Sequence, residues 1–138
     1  MQHRHMGELV RRNPVTLAAT ASVQEACRLM HQHRIGAVLV VDAAGRLEGI
    51  FTGRDAVRLL AEGRSPAHTH LHAVMTREPC CMGPGHVAMD ALRLMHDGGF
   101  RHVPVVHEGR LVGIVSRGDF RAQEHSRLDE ETGIWERL

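Results

Sequence analysis

A hydroxyl followed three residues later by a carboxylate occurs twice in this chain. Thr52 precedes Asp55 in GIFTGRD, and Ser116 precedes Asp119 in GIVSRGD. In each stretch the hydroxyl follows two apolar residues, and a glycine, Gly49 or Gly113, comes before them. Two kinds of chemistry suit this pattern. The simpler is a helix start: the hydroxyl accepts an orphan backbone N–H, and the acid sits at the positive end of the helix dipole. The other is ligand binding. A carboxylate can accept two hydrogen bonds from a ribose diol, the free N–H groups of a helix start favour phosphate, and Arg54 or Arg117 could pair with phosphate oxygens. No nucleophile–base pair, P-loop or firm metal triad accompanies the motif, so the chemistry expected is binding without catalysis.

The elements that position these residues are themselves duplicated. At an offset of 65, Leu9-Val10-Arg11-Arg12-Asn13-Pro14 aligns with Val74-Met75-Thr76-Arg77-Glu78-Pro79, and Ala26–His31 aligns with Ala91–His96. Val38–Val41 lies over Val103–Val106; after a turn one residue longer in the first copy the offset becomes 64, and Leu47–Thr52 matches Leu111–Ser116. One gap, falling in a turn, is what duplication leaves. Each copy reads as a short strand (Val15–Leu17, Cys80–Met82), a helix, two β-rich runs around a Gly-containing turn, and a helix beginning at once after the hydroxyl. Ser22 with Glu25 marks the first helix start, and Gly98-Gly99 marks the end of the corresponding second-copy helix. The spacing therefore predicts an α/β (α+β) chain of two β-α-β-β-α units. The first spans 6–62 and the second 71–125, with a linker over 63–70 and a C-terminal tail over 126–138.

Composition narrows the function classes. The chain has 138 residues, 43% hydrophobic and only 3% aromatic, so the core must be aliphatic and methionine-rich. A net charge of +1 gives no reason to expect nucleic acid or a membrane as partner. The longest apolar run, Ile35–Val41, is far short of a membrane span, and the N-terminal MQHRHMGEL holds no hydrophobic signal region. Three cysteines, two of them adjacent, do not make a disulfide framework. A reducing, cytoplasmic setting is expected.

With both motifs, the Val103-Pro104-Val105 stretch and Met75-Thr76 opening the second copy, residues 6–125 resemble a tandem pair of CBS domains, the modules named after cystathionine β-synthase. The resemblance implies a stand-alone two-domain protein whose pseudo-symmetric units pack sheet to sheet. It implies a regulatory ligand, AMP, ADP, ATP or S-adenosylmethionine, in the cleft between them, with no required cofactor. Carried over residue by residue, Asp55 would hold ribose and Thr52 ribose or phosphate. Val15, Thr16 and Val38 would line the base, with Arg54 near phosphate. In the second copy Asp119 and Ser116 take the same roles. Cys80, Met82, Val103 and Pro104 would surround the base, with Arg101 and His102 near the charged end. A homodimer is implied, to which the apolar Val57 and Leu60 are suited, and any output would pass through an effector protein.

Other features carry weaker expectations. His68, His70 and His72 alternate and in extended chain would share a face able to bind zinc or nickel, although a solvated loop is the plainer reading. Cys80 and Cys81 read as reduced and half-buried, and Arg117-Gly118-Asp119 as a chance adhesion tripeptide. Trp135, the only tryptophan, would close a core or meet a partner. Two rival functions remain open: an interaction protein whose motifs only cap helices, and a histidine-dependent metal-binding protein.

Overall fold

Ser22 caps the first long helix as its sequence predicts, its Oγ accepting the Glu25 N–H at 3.1 Å. The computed structural model describes residues 3–136, with side chains through Gly133. Chain order is α1 (Met6–Leu9), β1 (Arg11–Arg12), β2 (Thr16–Leu17), α2 (Val23–His33), β3 (Ala37–Val41), β4 (Leu47–Thr52), α3 (Gly53–Ala61), β5 (Thr76–Arg77), α4 (Ala88–Gly98), β6 (His102–His107), β7 (Arg110–Ser116) and α5 (Ala122–Glu136). Short 3-10 turns occupy Pro66–His68, Leu71–Ala73 and Arg117–Asp119.

The chain forms two compact units. The first is Asn13–Cys80 with Glu108–Leu111; the second joins the N-terminal residues through Arg12 to Cys81–His107 and the chain from Val112 onward. Sequence repeat and structural unit thus differ by an exchanged segment. In the first unit β2 runs parallel to β3, which pairs antiparallel with β4 and then β5. In the second, β1 pairs antiparallel with β7, whose other neighbour is β6. Each sheet buries an aliphatic face. Val38, Val40 and Phe51 pack with Val23, Ala26 and Met75 in the first unit, and Val103, Val105 and Val115 with Met6, Leu92 and Met95 in the second.

The glycine of each motif is explained by its edge strand. Gly49 lies opposite Arg77, and Gly113 opposite Arg12. A Cβ on Gly49 would stand 2.7 Å from Met75 Sδ and 2.8 Å from Thr76 O. One on Gly113 would run into Arg11 O and stand 2.7 Å from Val10 Cγ2. Both separations are closer than real Cβ contacts, so the side chain must be absent for the edge strand to dock.

Two expectations about the elements need correction. Cys80–Met82 is not a strand; Met82 makes only an isolated parallel bridge to Val105. In the first unit the Leu39 N–H donates to Val15 O at 3.0 Å. The aligned second-copy pair is Pro104 and Cys80, and proline has no N–H to donate. The second motif does not run directly into a helix. A single 3-10 turn ends at Phe120, which is extended (φ −85°, ψ 147°) and buried, before α5 begins. Residues 126–133 continue α5, and Leu128 is buried in the second core. The side chain of Trp135 lies outside the described residues. The histidine-rich stretch leaves His68, His70 and His72 exposed but is anchored to the first unit. Thr69 O accepts from Val23 N, Leu71 N donates to Ala21 O, and Leu71, the one large apolar residue there, is fully buried.

Gly49→Ala and Gly113→Ala are each expected to lower unfolding stability by about 1–3 kcal/mol, the cost of forcing volume into packed structure. The larger loss is expected at Gly113, where the obstruction is closest. Denaturant midpoints at unchanged m value measure this; midpoints equal to wild type would show that edge-strand docking does not require these glycines.

Candidate functional site

Thr52 closes β4 opposite Ala37 and caps α3. Its N–H donates to Asp55 Oδ2 at 2.9 Å, and its hydroxyl donates to the same oxygen at 3.0 Å. Asp55 N stands 3.3 Å from Thr52 Oγ1, completing the reciprocal cap. The other carboxylate oxygen, Oδ1, accepts from Arg58 Nη2 at 3.2 Å, and that nitrogen also donates to Val74 O at 3.2 Å. Asp55 is buried, and its carboxylate accepts from Thr52 N, Thr52 Oγ1 and Arg58 Nη2.

The second motif repeats half of this and departs in the rest. Ser116 N donates to Asp119 Oδ2 at 2.7 Å and Ser116 Oγ donates at 3.1 Å. Oδ1 again accepts from a guanidinium, but from a distant one: Arg11 Nε, on β1, at 2.7 Å. Arg4, bound to Glu124 through both carboxylate oxygens, also reaches Asp119 O at 3.4 Å. The Asp119 side chain keeps only 7% of its exposure, so the adhesion tripeptide offers no free acid.

Each pairing guanidinium was absent from the sequence reading. Arg58 was accessible to it, since a cation three residues after an acid on a helix is an expected partner. Arg11 was not, because nothing local connects residues 108 apart.

Around the first motif, Val15 O accepts from Leu39 N and Thr16 is exposed on β2 opposite Leu39. Arg54 is exposed on the first turn of α3. Val38 is fully buried in its unit's own core, as is Val103 in the other. Strand alternation turns Leu39 and Pro104 to the opposite face.

Around the second motif, Met82 is held between Pro104 O and the Val106 N–H at 3.1 and 3.0 Å. Arg101 is exposed, and its carbonyl accepts from Arg117 N at 2.9 Å. Cys80 is the last residue of the first unit, so it belongs to a different unit from Ser116 and Asp119. Cys80 and Cys81 are both exposed and outside any disulfide, not half-buried, because no strand draws them inward. His102 opens β6 and is half-buried. Burial pushes its pKa below the ordinary value, the Arg101 charge adds to this, and Asp119 opposes it.

The alternating histidines do not share one extended face, because His68 and His72 lie in separate 3-10 turns. His70 and His72 stack with ring centroids 5.3 Å apart, His70 Nδ1 lies 2.6 Å from Thr20 O, and His68 Nδ1 lies 3.0 Å from Ser65 Oγ. Among the described residues no group of three or more His, Cys, Asp or Glu side chains is arranged to hold a metal ion. None of the described helices is long and apolar enough to cross a membrane.

A duplicated α/β module, each copy ending its hairpin in a capped and arginine-paired carboxylate, is the class that fold and site define. The chain belongs to the CBS domain family, whose model matches residues 6–62 and 71–125. It is 38% identical to CBS domain-containing protein YhcV of Bacillus subtilis over 80% of this chain and 79% of that one. It is 40% identical to CBS domain-containing protein CBSCBSPB2 of Arabidopsis thaliana, covering 73% of this chain but only 19% of that relative's length. Among solved structures, the CBS domain pair of protein MJ0100 in complex with 5′-methylthioadenosine and S-adenosyl-L-methionine superposes with a TM-score of 0.80. It is 26% identical, over 95% of this chain and 99% of that one. The CBS-domain protein ATU1752 of Agrobacterium tumefaciens gives 0.78 at 36% identity, over 83% and 94%.

His102 makes stability pH-dependent. Its folded-state pKa lies below the ordinary 6.5, so below that pH the unfolded chain binds more protons than the folded one. Its contribution is fully present above pH 6.5 and is lost as pH falls toward the folded value. His102→Gln is expected to flatten this part of the stability–pH curve. Denaturation midpoints measured across that range check it, and an unchanged slope in the variant would contradict it.

Proposed function

We propose that this protein is a regulatory module that binds adenosine-containing small molecules, AMP, ADP, ATP or S-adenosylmethionine, and acts through a partner protein without catalysis of its own. The observation that carries the reading is the state of the two carboxylates. In each, Oδ2 accepts two bonds from the capping residue, while Oδ1 accepts one from an arginine. A carboxylate oxygen has two acceptor sites, so Oδ1 of Asp55 and of Asp119 each keep one for a ribose hydroxyl. Thr52 and Ser116 then orient the carboxylate. Val15, Thr16, Met82 and Pro104 serve the base, together with Cys80 and the main chain of Val38 and Val103. Arg54, Arg101 and His102 serve the charged end. The adenosine compounds held by the 26%-identical MJ0100 domain pair support this ligand class.

The module is expected to work in the cytoplasm as a homodimer. Val57 and Leu60, one turn apart on α3, are 66% and 63% exposed, and a second copy would cover them. The completed caps equally suit a second reading, an interaction protein in which the motif is only a helix start.

Calorimetry separates the two. Wild type is expected to bind at least one of the four compounds, and at about 100 times the dissociation constant to gain roughly 2.7 kcal/mol of stability. Asp55→Ala and Asp119→Ala should each weaken one binding event about ten- to hundredfold. Each should also cost the free protein about 0.5–2 kcal/mol through the lost cap, so affinities are compared where all variants remain folded. Tight binding retained by the double variant, or none by wild type, would leave the helix-start reading.

Light scattering checks the dimer. Wild type is expected to show twice the chain mass at micromolar concentration, and Val57→Asp with Leu60→Asp the single mass. Both positions are exposed, so the fold should survive within about 0.5 kcal/mol per site. A monomeric wild type across that range would rule the dimer out.

A further inference from the structure

The two carboxylates are capped alike but are paired with arginines in different situations. Arg58 faces two acids of its own unit: Nη2 serves both Asp55 Oδ1 and Val74 O, and Nε lies 3.8 Å from Glu62 Oε1, with the side chain 59% exposed. Its charge is thus divided between two acids. Arg11 is engaged at one atom. Nε binds Asp119 Oδ1, the side chain is 68% exposed, and among the described residues neither Nη group has a partner. Four of the five guanidinium N–H donors are uncommitted. The side chain is nevertheless not free to wander. Its backbone is held in β1 opposite Ile114, and its Nε is fixed by a carboxylate that is almost wholly buried.

This arrangement has no counterpart in the first unit. The residue in the register of Arg11 is Thr76, opposite Ile50 on β4. A threonine there supplies no charge and no fork. A planar guanidinium with its outer nitrogens open matches two oxygens of a phosphate, and its weak hydration makes the exchange of water for phosphate favourable.

We infer that Arg11 is a specificity-determining residue of the Asp119 site, holding the phosphate of an adenosine nucleotide through its Nη groups and so selecting phosphorylated over unphosphorylated ligands. The inference rests on the reading that Asp119 holds ribose. It makes the two sites unequal: the Asp55 site has Thr76 in this register, so any preference for phosphate there falls to Arg54.

Calorimetric titration with AMP and with adenosine tests it. Full-length Asp55→Ala isolates the Asp119 site; in otherwise wild-type protein the same event is the one that Asp119→Ala removes. At this site AMP is expected to bind more tightly than adenosine. Arg11→Gln should cut the preference for AMP over adenosine about tenfold or more, the worth of a charge-assisted contact, with the adenosine titration reporting what the altered Asp119 contact alone costs. Arg11→Lys, which keeps the charge and loses the fork, should fall between. Arg11 is exposed on an edge strand, and thermal melts confirm that the variants are folded. If AMP and adenosine both bind and their ratio is the same in Arg11→Gln, the assignment of Arg11 is overturned while the ribose reading stands. If neither ligand binds wild type, both fail together.

Discussion

The docking of a two-residue edge strand onto each motif strand is the constraint from which the rest follows. β5 lies on β4 and β1 lies on β7, and each meets its neighbour at the motif glycine. In sequence, β1 precedes the first repeat's own sheet, yet it completes the sheet of the second unit. The docking brings Val74 O to Arg58 in one unit and Arg11 to Asp119 in the other. A Cβ at either glycine would push the edge strand away and with it the groups that neutralise the acids.

The carboxylates then settle into a geometry that serves two purposes at once. A buried acid needs its charge compensated, and the capping N–H, the hydroxyl and a guanidinium together provide that. The same contacts hold the carboxylate rigidly while leaving one acceptor position on its second oxygen. Capping and ligand binding are therefore compatible uses of one side chain. Under the proposed function such a carboxylate would be pre-organised, which reduces the ordering cost of binding.

The two copies have diverged where a single residue changes what the backbone can do. Pro104 in place of Leu39 removes the N–H that would pair with the preceding short strand, and the second copy keeps only the Met82 bridge. Phe120 in place of Ala56 puts a large apolar group directly after the motif. Its burial goes with an extended backbone, so the helix restarts at Ala122 instead of continuing. The positive-φ positions, by contrast, recur. Asn13 and Glu78 each precede a proline, and Arg34 and Gly99 each end a helix.

Order and type of most elements were legible in the chain because they depend on local spacing. Apolar residues at helical intervals, a capping serine, a turn with glycine and a repeat at constant offset determine α2, β3, β4, α3 and β7, and they mark Thr52, Asp55, Ser116 and Asp119. The capping bonds span three residues, so sequence proximity alone forms them. What lay beyond the sequence was every feature that depends on distant segments. That the Val38 and Val103 side chains go to the core of their own unit depends on how the strands pack. His68, His70 and His72 are exposed, but the anchoring of their stretch to the first unit through Leu71 depends on tertiary packing. Arg11 and Asp119 are brought together only because an N-terminal strand docks against β7, and no spacing rule relates residues on either side of an entire folded unit. The sequence by itself determined the repeated capped acid; tertiary structure decided which arginine each acid meets, because that choice is made by strand docking across the chain and not by neighbours along it.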